Sequence, residues 1–129
     1  CIHVRNYEVS SPAKNVNQRF YIKAIDYISK NIESPKFVLF SDNPDKAKGL
    51  LPFNYDDTIV IDWNKTDNGD LIDLHLMSKC KHHIIANSSF SWWGAWLNPS
   101  KTKIVIAPNI WFANGSNSND HVPKSWVRL

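Results

Sequence analysis

Three shortages in the sequence each exclude a class of protein. Two cysteines, Cys1 and Cys80, are too few for a disulfide framework, and they lack the spacing of a metal site. Four glycines exclude a collagen-like or glycine-rich chain. No apolar run approaches the roughly 18 residues that cross a membrane, and no secretory signal is visible. We therefore expect a protein with reduced thiols in the cytosol.

The composition is that of one globular domain. The 129 residues are 43% hydrophobic and 21% charged, which provides enough apolar surface for a core. The net charge of +3 suits a small anionic ligand and is far below the basic footprint of a nucleic-acid-binding protein. We therefore predict a single domain over residues 1–129. A strand pattern begins at once after Cys1, so we expect the chain to be part of a longer protein.

Short apolar runs alternate with amphipathic stretches along the chain. Runs typical of buried parallel strands lie at residues 2–5, 36–41, 58–62, 83–86 and 103–107. Apolar residues at helical spacing lie at residues 16–32, 43–49, 67–80 and 88–97. The tail after Pro108 is predicted to be irregular, with one turn at Trp126. This alternation predicts an α/β fold with a doubly wound parallel sheet.

The same patterns predict which side chains enter the core. The helix over 67–80 is expected to bury its apolar residues, which are Leu71, Ile72, Leu74, Leu76 and Met77. The helix over 88–97 is expected to bury mainly its tryptophans, which are Trp92, Trp93 and Trp96. His82 and His83 begin a strand without metal-like partners, so we expect them to be structural.

Polar residues follow the predicted strands where a ligand site is expected. In doubly wound sheets ligands bind outside the carboxyl ends of the strands. His3 and Arg5 lie two residues apart and so share one strand face, from which an arginine can clamp a phosphate while the histidine donates to it. A purely structural role for this common pair stays open. Asp73 is either a site residue or a solvated acid near the start of its helix.

The segment over residues 86–96, ANSSFSWWGAW, carries the most information. A strand ends there, and Ser88, Ser89 and Ser91 open a helix. Hydroxyls and the free N–H groups of a first helical turn converge at the positive end of the helix dipole, which favours an anion or phosphate. Ordinary capping of the helix by Ser88 or Ser89 is the alternative.

One long stretch identifies a family. The run from Asp73 to Leu97, DLHLMSKCKHHIIANSSFSWWGAWL, resembles the signature of the α-1,2-fucosyltransferases, glycosyltransferase family 11. The order of His3-x-Arg5, then Phe40-Ser41-Asp42, then this run also resembles that family, and more loosely the α-1,6- and protein O-fucosyltransferases. The resemblance covers nearly the whole chain. It leaves out an N-terminal region that, in this family, helps to form the acceptor side of the cleft.

The resemblance implies the Rossmann-like, C-terminal half of a GT-B-like glycosyltransferase that binds GDP-fucose and needs neither metal nor cofactor. His3 and Arg5 match the H-x-R motif, whose arginine binds the pyrophosphate, and Asp42 matches a strand-end acid of the nucleotide site. Asp73 matches the acid that recognises guanine, which offers two N–H donors that adenine lacks. The remaining donor-binding matches are Ser88, Ser89 and Ser91.

The chain departs from the family after Arg5. The family motif usually reads H-x-R-R-G-D-Y, whereas here Asn6, Tyr7 and Glu8 follow. The expected reaction is an inverting displacement in which Arg5 stabilises the charge on departing GDP and Glu8, replacing the family's aspartate, is the candidate base. The departure puts catalysis in doubt more than nucleotide binding.

Three functions therefore stay open at the level of the sequence. The first is a fucosyltransferase domain in glycan biosynthesis, incomplete without its N-terminal region, that transfers fucose to a hydroxyl of an acceptor oligosaccharide. The second is a module that binds GDP or GDP-fucose without transfer, and the third is an α/β scaffold. The first implies a bacterial-type cytoplasmic location, with peripheral membrane association open.

Overall fold

The computed structural model describes residues 1–7, 15–52, 58–64, 66–112 and 114–129. The described residues form six strands and four helices. In chain order these are β1 (Ile2–Val4), α1 (Gln18–Asn31), β2 (Phe37–Ser41), α2 (Pro44–Lys48), β3 (Thr58–Ile61), α3 (Gly69–Lys79), β4 (His83–Ile84), α4 (Ser89–Trp96), β5 (Val105–Ala107) and β6 (Val127–Arg128). No helix within these residues is long and apolar enough to cross a membrane.

All strand pairs in the described sheet are parallel, and the strand order is β3-β2-β1-β4-β5-β6. This order is typical of the dinucleotide-binding Rossmann fold. The chain direction across the sheet reverses between β1 and β4, so the crevice at their carboxyl ends is the expected ligand site. The prediction of an α/β, doubly wound parallel sheet is confirmed.

Helices cover both faces of the sheet because successive strand residues point to opposite sides. On one face, Ile2 and Val4 of β1 and Leu39 of β2 pack against α1 and α2. On the other face, Phe40 of β2 packs with Met77 of α3. α1 presents a continuous apolar stripe with the spacing of one helical face, formed by Phe20, Tyr21, Ala24, Ile25 and Ile28. The sheet is therefore the middle layer of three.

The burial predicted for α3 is wrong at its first turn. Leu71 is 66% exposed and Ile72 is 42% exposed, while Met77 is fully buried. Asp70 and Asp73 of the same stretch line a cleft at the carboxyl edge of the sheet, with Asp70 exposed and Asp73 half-buried. Because each residue turns the helix by about 100°, the two apolar neighbours face outward.

The burial predicted for the tryptophans of α4 is also mostly wrong. Trp93 and Trp96 are half exposed. α4 uses small residues, Ser91, Gly94 and Ala95, to approach its neighbours, so the large rings lie elsewhere on its surface. Only Trp92 packs against a core cluster, where its ring lies 5.6 Å from that of Trp126 and its indole N–H donates to the carbonyl of His121.

His82 and His83 are structural, as predicted: His82 Nδ1 accepts from the backbone N–H of Ile104, and the buried His83 ring pairs with the side chain of Asn98.

The C-terminal tail is less irregular than predicted. After a turn at Trp126, β6 pairs with β5, and so short a strand gives little periodic signal.

Gly94 allows α3 and α4 to pack closely. A Cβ atom at this position would lie 3.0 Å from Met77 Cβ, which is tighter than ordinary contact. We expect Gly94→Ala to lower the free energy of unfolding by about 1–3 kcal/mol through overpacking, measured by urea denaturation. Gly49→Ala is the control, because its Cβ would meet no atom closer than 3.5 Å. Equal stability of the two variants would contradict close packing at Gly94.

Candidate functional site

A cleft of about 320 Å³ opens at the carboxyl ends of β1, β2 and β4, at the point where the strand order reverses. It brings together six of the predicted site residues, which are His3, Arg5, Asp42, Asp73, Ser88 and Ser89. Its other lining residues are Tyr7, Phe40, Ser41, Asp70 and Phe90. Two larger cavities, of about 350 and 450 Å³, open elsewhere and contain none of these residues. The convergence of polar groups makes the smaller cleft the candidate site.

Arg5 stands at the mouth of this cleft in an ion pair with Asp42. Its Nη1 lies 3.3 Å from Asp42 Oδ2, and 44% of its side chain is exposed. The guanidinium carbon lies 5.6 Å from the centre of the Tyr7 ring, within range of a cation–π contact. A guanidinium has five N–H donors, so one contact with Asp42 leaves several donors for an anion in the cleft.

Asp42 lies on the cleft wall, but its carboxylate is engaged by the protein itself. Oδ2 faces Arg5, and Oδ1 accepts from the backbone N–H and the side-chain amide of Asn6, both at 3.0 Å. The sequence predicts Asp42 as a residue that binds the nucleotide. The structure gives it the contacts of a residue that holds Arg5 in place.

His3 is buried and faces the cleft with an unpartnered nitrogen. It is 3% exposed, and its Nδ1 has no hydrogen-bond partner within the described residues. Burial lowers the pKa of His3 to about 4, so the ring is neutral at pH 7. A buried polar atom without a partner costs about 1–3 kcal/mol, which is recovered if a ligand in the cleft bonds to it.

We expect the free energy of unfolding to fall as the pH drops from about 6.5 to about 4. Burial lowers the pKa of His3 to about 4 and that of His83 to about 3, whereas an unfolded histidine titrates near 6.5. Within that window the unfolded chain binds more protons, so lower pH favours unfolding, by about 3 kcal/mol for His3. Urea denaturation at several pH values measures the slope.

The control for this pH dependence is a histidine on the surface. His3→Gln should flatten part of the slope, and the replacement of the exposed His75 by glutamine is measured beside it. An identical slope in the wild-type chain and in His3→Gln would contradict the neutral, buried state of His3.

Asp73 reaches the cleft from the first half of α3. Its Oδ1 accepts a hydrogen bond of 2.6 Å from the Asn64 side chain, which follows β3. Burial raises the pKa of Asp73, the bond from Asn64 opposes that effect, and the nearby charge of Asp70 adds to it. Asp73 therefore presents a partly desolvated, oriented carboxylate to the cleft, which is suited to accept hydrogen bonds from a neutral donor pair.

The start of α4 supplies the opposite wall. Ser88 is the N-cap residue, but its side chain makes no capping hydrogen bond, so the alternative of ordinary capping does not describe it. Ser88 and the exposed Ser89 both line the cleft. Ser91 does not: it is fully buried, and its hydroxyl donates to the carbonyls of Ala86 and Ser88. An anion at this wall would meet two hydroxyls and the positive end of the helix.

Several lining residues have no role in the sequence prediction. The Tyr7 hydroxyl donates to the carbonyl of Asn87 at 2.9 Å and so joins the ends of β1 and β4. Asp70 lies one helical turn before Asp73. The centroid of the Phe90 ring lies 5.7 Å from the centroid of the His3 ring. The spacing of two residues between His3, Arg5 and Tyr7, which continues the alternation of β1 past its end, is the signal that could have placed Tyr7 in the site.

Glu8, the candidate base, lies outside the described residues. Within them, no group of three or more His, Cys, Asp or Glu side chains could hold a metal ion.

Comparisons with known proteins place the chain among glycosyltransferases. The model of glycosyl transferase family 11 matches residues 1–129. An α-1,2-colitosyltransferase of Escherichia coli is 39% identical over 131 residues, which cover 98% of this chain and 44% of that protein. The O-antigen biosynthesis glycosyltransferase WbnK of Escherichia coli is 42% identical over 110 residues, which cover 85% of this chain and 35% of that protein.

The chain therefore spans less than half the length of these curated relatives. No solved structure matches it. The family match runs from the first residue to the last and includes every predicted site residue. On this evidence the chain belongs to glycosyl transferase family 11.

Proposed function

We propose that this chain is the donor-binding domain of an inverting α-1,2-fucosyltransferase that takes fucose from GDP-fucose. The observation that carries the proposal is the single cleft at the switch point, where Arg5, Asp73 and the serines that begin α4 converge. These groups offer what a guanosine diphosphate needs: a carboxylate acceptor for the base and cationic and N–H donors for the phosphates. As the chain spans only part of its relatives, the acceptor side is proposed to come from a further region.

Guanine recognition is assigned to Asp73. Guanine presents N1–H and a 2-amino group side by side, and one carboxylate can accept from both. The bond from Asn64 fixes the Asp73 side chain in one orientation before the base arrives. Adenine offers no matching pair of donors, so the half-buried Asp73 carboxylate would gain no hydrogen bond from the base and adenine nucleotides would bind more weakly.

The diphosphate is assigned to the two sides of the cleft. Arg5 lies on one side, and the hydroxyls of Ser88 and Ser89 with the α4 N-terminus lie on the other. The neutral His3 ring offers one further hydrogen bond from its unpartnered Nδ1. Each charge-assisted hydrogen bond contributes about 1.5–3 kcal/mol, so a few suffice for a stable complex.

These contacts also support the transfer step. The acceptor hydroxyl attacks the anomeric carbon of fucose from the face opposite the phosphate, a new C–O bond forms, and GDP leaves with the electrons of the broken bond. The negative charge that grows on the diphosphate is stabilised by Arg5 and by the α4 N-terminus. A base removes the acceptor proton, for which Glu8 remains the prediction. No metal takes part in this scheme.

The sugar of the donor is the least constrained part of the proposal. A relative is named a colitosyltransferase, and colitose is fucose without its 3-hydroxyl group. A guanosine diphosphate donor of either sugar would meet the same proposed nucleotide contacts. The acceptor is proposed to be an oligosaccharide, in a cytoplasmic reaction at or near the membrane surface.

Saturation-transfer NMR of this chain with GDP-fucose and with GDP-colitose tests the donor, with EDTA present to test the absence of a metal. We expect GDP-fucose to bind and EDTA to change its affinity by less than twofold. Loss of binding in EDTA that Mg²⁺ restores would contradict the metal-free site. If GDP-colitose binds and GDP-fucose does not, the proposed donor sugar is wrong and the proposed nucleotide site is supported.

Binding without transfer is the second candidate, and Asn6 favours it. This residue stands where the resemblance places a second arginine, so the site has one cation fewer beside the leaving group. The enzyme that joins this domain to the remaining length of its relatives should transfer fucose to an acceptor if the first candidate holds. Donor binding by that protein without product would favour the second.

A further inference from the structure

Asn6 connects the carboxyl ends of β1 and β2 at the rim of the cleft. It is half-buried, and it uses both its backbone and its side chain for these contacts. The backbone N–H and Nδ2 each donate to Asp42 Oδ1 at 3.0 Å. Nδ2 also lies 3.2 Å from Ser41 Oγ, which in turn accepts from the backbone N–H of Asn43. Asn6 therefore anchors the segment that follows β2.

The two oxygens of Asp42 have separate partners because of Asn6. Oδ1 accepts from the two donors of Asn6 at 3.0 Å and, at 3.5 Å, from Ser41 Oγ, whereas Oδ2 faces Arg5 Nη1 at 3.3 Å. Two donors on one oxygen fix the plane of the carboxylate, so the other oxygen is held at one place on the rim. Arg5 then pairs with a carboxylate oxygen whose position is fixed.

This matters because an arginine side chain is flexible. Ordering one costs rotamer entropy, and a binding site that has already ordered it does not lose that free energy when the ligand arrives. The side chain of Arg5 is 44% exposed, so the surrounding protein alone does not confine it. Its described restraints are the Asp42 carboxylate and the Tyr7 ring.

We propose that Asn6 is a positioning residue for the diphosphate, acting through Asp42 to hold the guanidinium of Arg5 over the cleft. This inference rests on the proposed function, in which Arg5 binds the diphosphate of the donor. Asn6 does not line the cleft, so its effect on the diphosphate is indirect. Asp42 is accordingly part of the same positioning unit and not a ligand of the nucleotide.

The test compares ligands with and without phosphates. Calorimetric titrations with GDP, guanosine and inorganic pyrophosphate are made on the wild-type chain and on Asn6→Ala and Asn6→Leu. The leucine variant keeps the volume of the side chain but removes the amide. Asn31→Ala is the control, since the Asn31 side chain donates a hydrogen bond to the carbonyl of Tyr27 and does not line the cleft. Thermal unfolding is recorded for every variant.

We expect both Asn6 variants to bind GDP and pyrophosphate about five- to tenfold more weakly than the wild type, with guanosine affinity unchanged. Asn31→Ala should bind all three ligands as the wild type does. Equal weakening of GDP and guanosine would show a general structural role and overturn the proposal. Unchanged GDP affinity in both Asn6 variants would overturn it as well.

A wild-type chain that does not bind GDP would overturn the proposed function. In that case the affinities of the wild type and of the Asn6 variants for pyrophosphate test the role of Asn6 separately. Asn6-dependent binding of pyrophosphate would support the positioning of Arg5 for a phosphate ligand. Absence of pyrophosphate binding would overturn that role too.

Discussion

Replacing Arg5 by alanine is expected to weaken the binding of GDP by about a hundredfold or more. Arg5 is the cation that lines the cleft among the described residues, and its side chain is held at the rim by Asp42. Two lost charge-assisted hydrogen bonds at about 1.5–3 kcal/mol each account for an effect of this size. In a protein that joins this domain to the remaining length of its relatives, the proposed function predicts that the same variant abolishes transfer. Titration calorimetry measures the affinity, and release of GDP measures the transfer.

Two further variants serve as controls, one for the shape of the guanidinium and one for the position of the arginine. Arg5→Lys keeps the charge but lacks the planar pair of donors, so we expect an intermediate affinity. Arg19→Ala removes an exposed arginine of α1 that does not line the cleft, and it should bind GDP normally. GDP affinity within twofold of the wild type in Arg5→Ala would remove Arg5 from the proposed site.

The second large effect is expected at Asp73. Asp73→Asn keeps the size of the side chain but can no longer accept from two neighbouring N–H groups of guanine, because its amide nitrogen is a donor. The preference for GDP over ADP should then fall by about a hundredfold, toward equal affinity. The loss should appear in guanosine affinity as well, which separates this variant from changes at Arg5.

Asp70→Asn is the matched control for this effect. Asp70 lies one turn earlier on the same helix, lines the same cleft and carries the same charge, so it reports the general influence of a carboxylate there. We expect it to leave the preference for GDP nearly intact. An equal loss of preference in both variants would contradict a specific contact between Asp73 and the base.

The fold could be predicted because its determinants are local. Buried parallel strands such as β2 and β3 are continuous apolar runs, and α1 carries its core residues at helical spacing. The site could be located for the same reason. Once the strands are placed, their carboxyl ends must meet at one edge, and His3, Arg5 and Ser88 are brought there by the topology.

Other features depend on contacts that no local pattern contains. The outward direction of Leu71 and Trp93 follows from which face of α3 and α4 packs inward, and small or acidic residues decide that here. Ser91 lies in the same motif as Ser88, yet the helix turns its hydroxyl into the core. The role of Asn6 requires knowing that Asp42, 36 residues later, lies against it.

Recognition of a guanine nucleotide by the cleft at the switch point is tested by calorimetric titration of this chain with GDP and with ADP. We predict that GDP binds with one molecule per chain, that ADP binds at least about a hundredfold more weakly, and that Asp73→Ala removes the binding of GDP. Equal affinities for GDP and ADP, or GDP binding that survives in Asp73→Ala, would show that the cleft does not recognise guanine through Asp73.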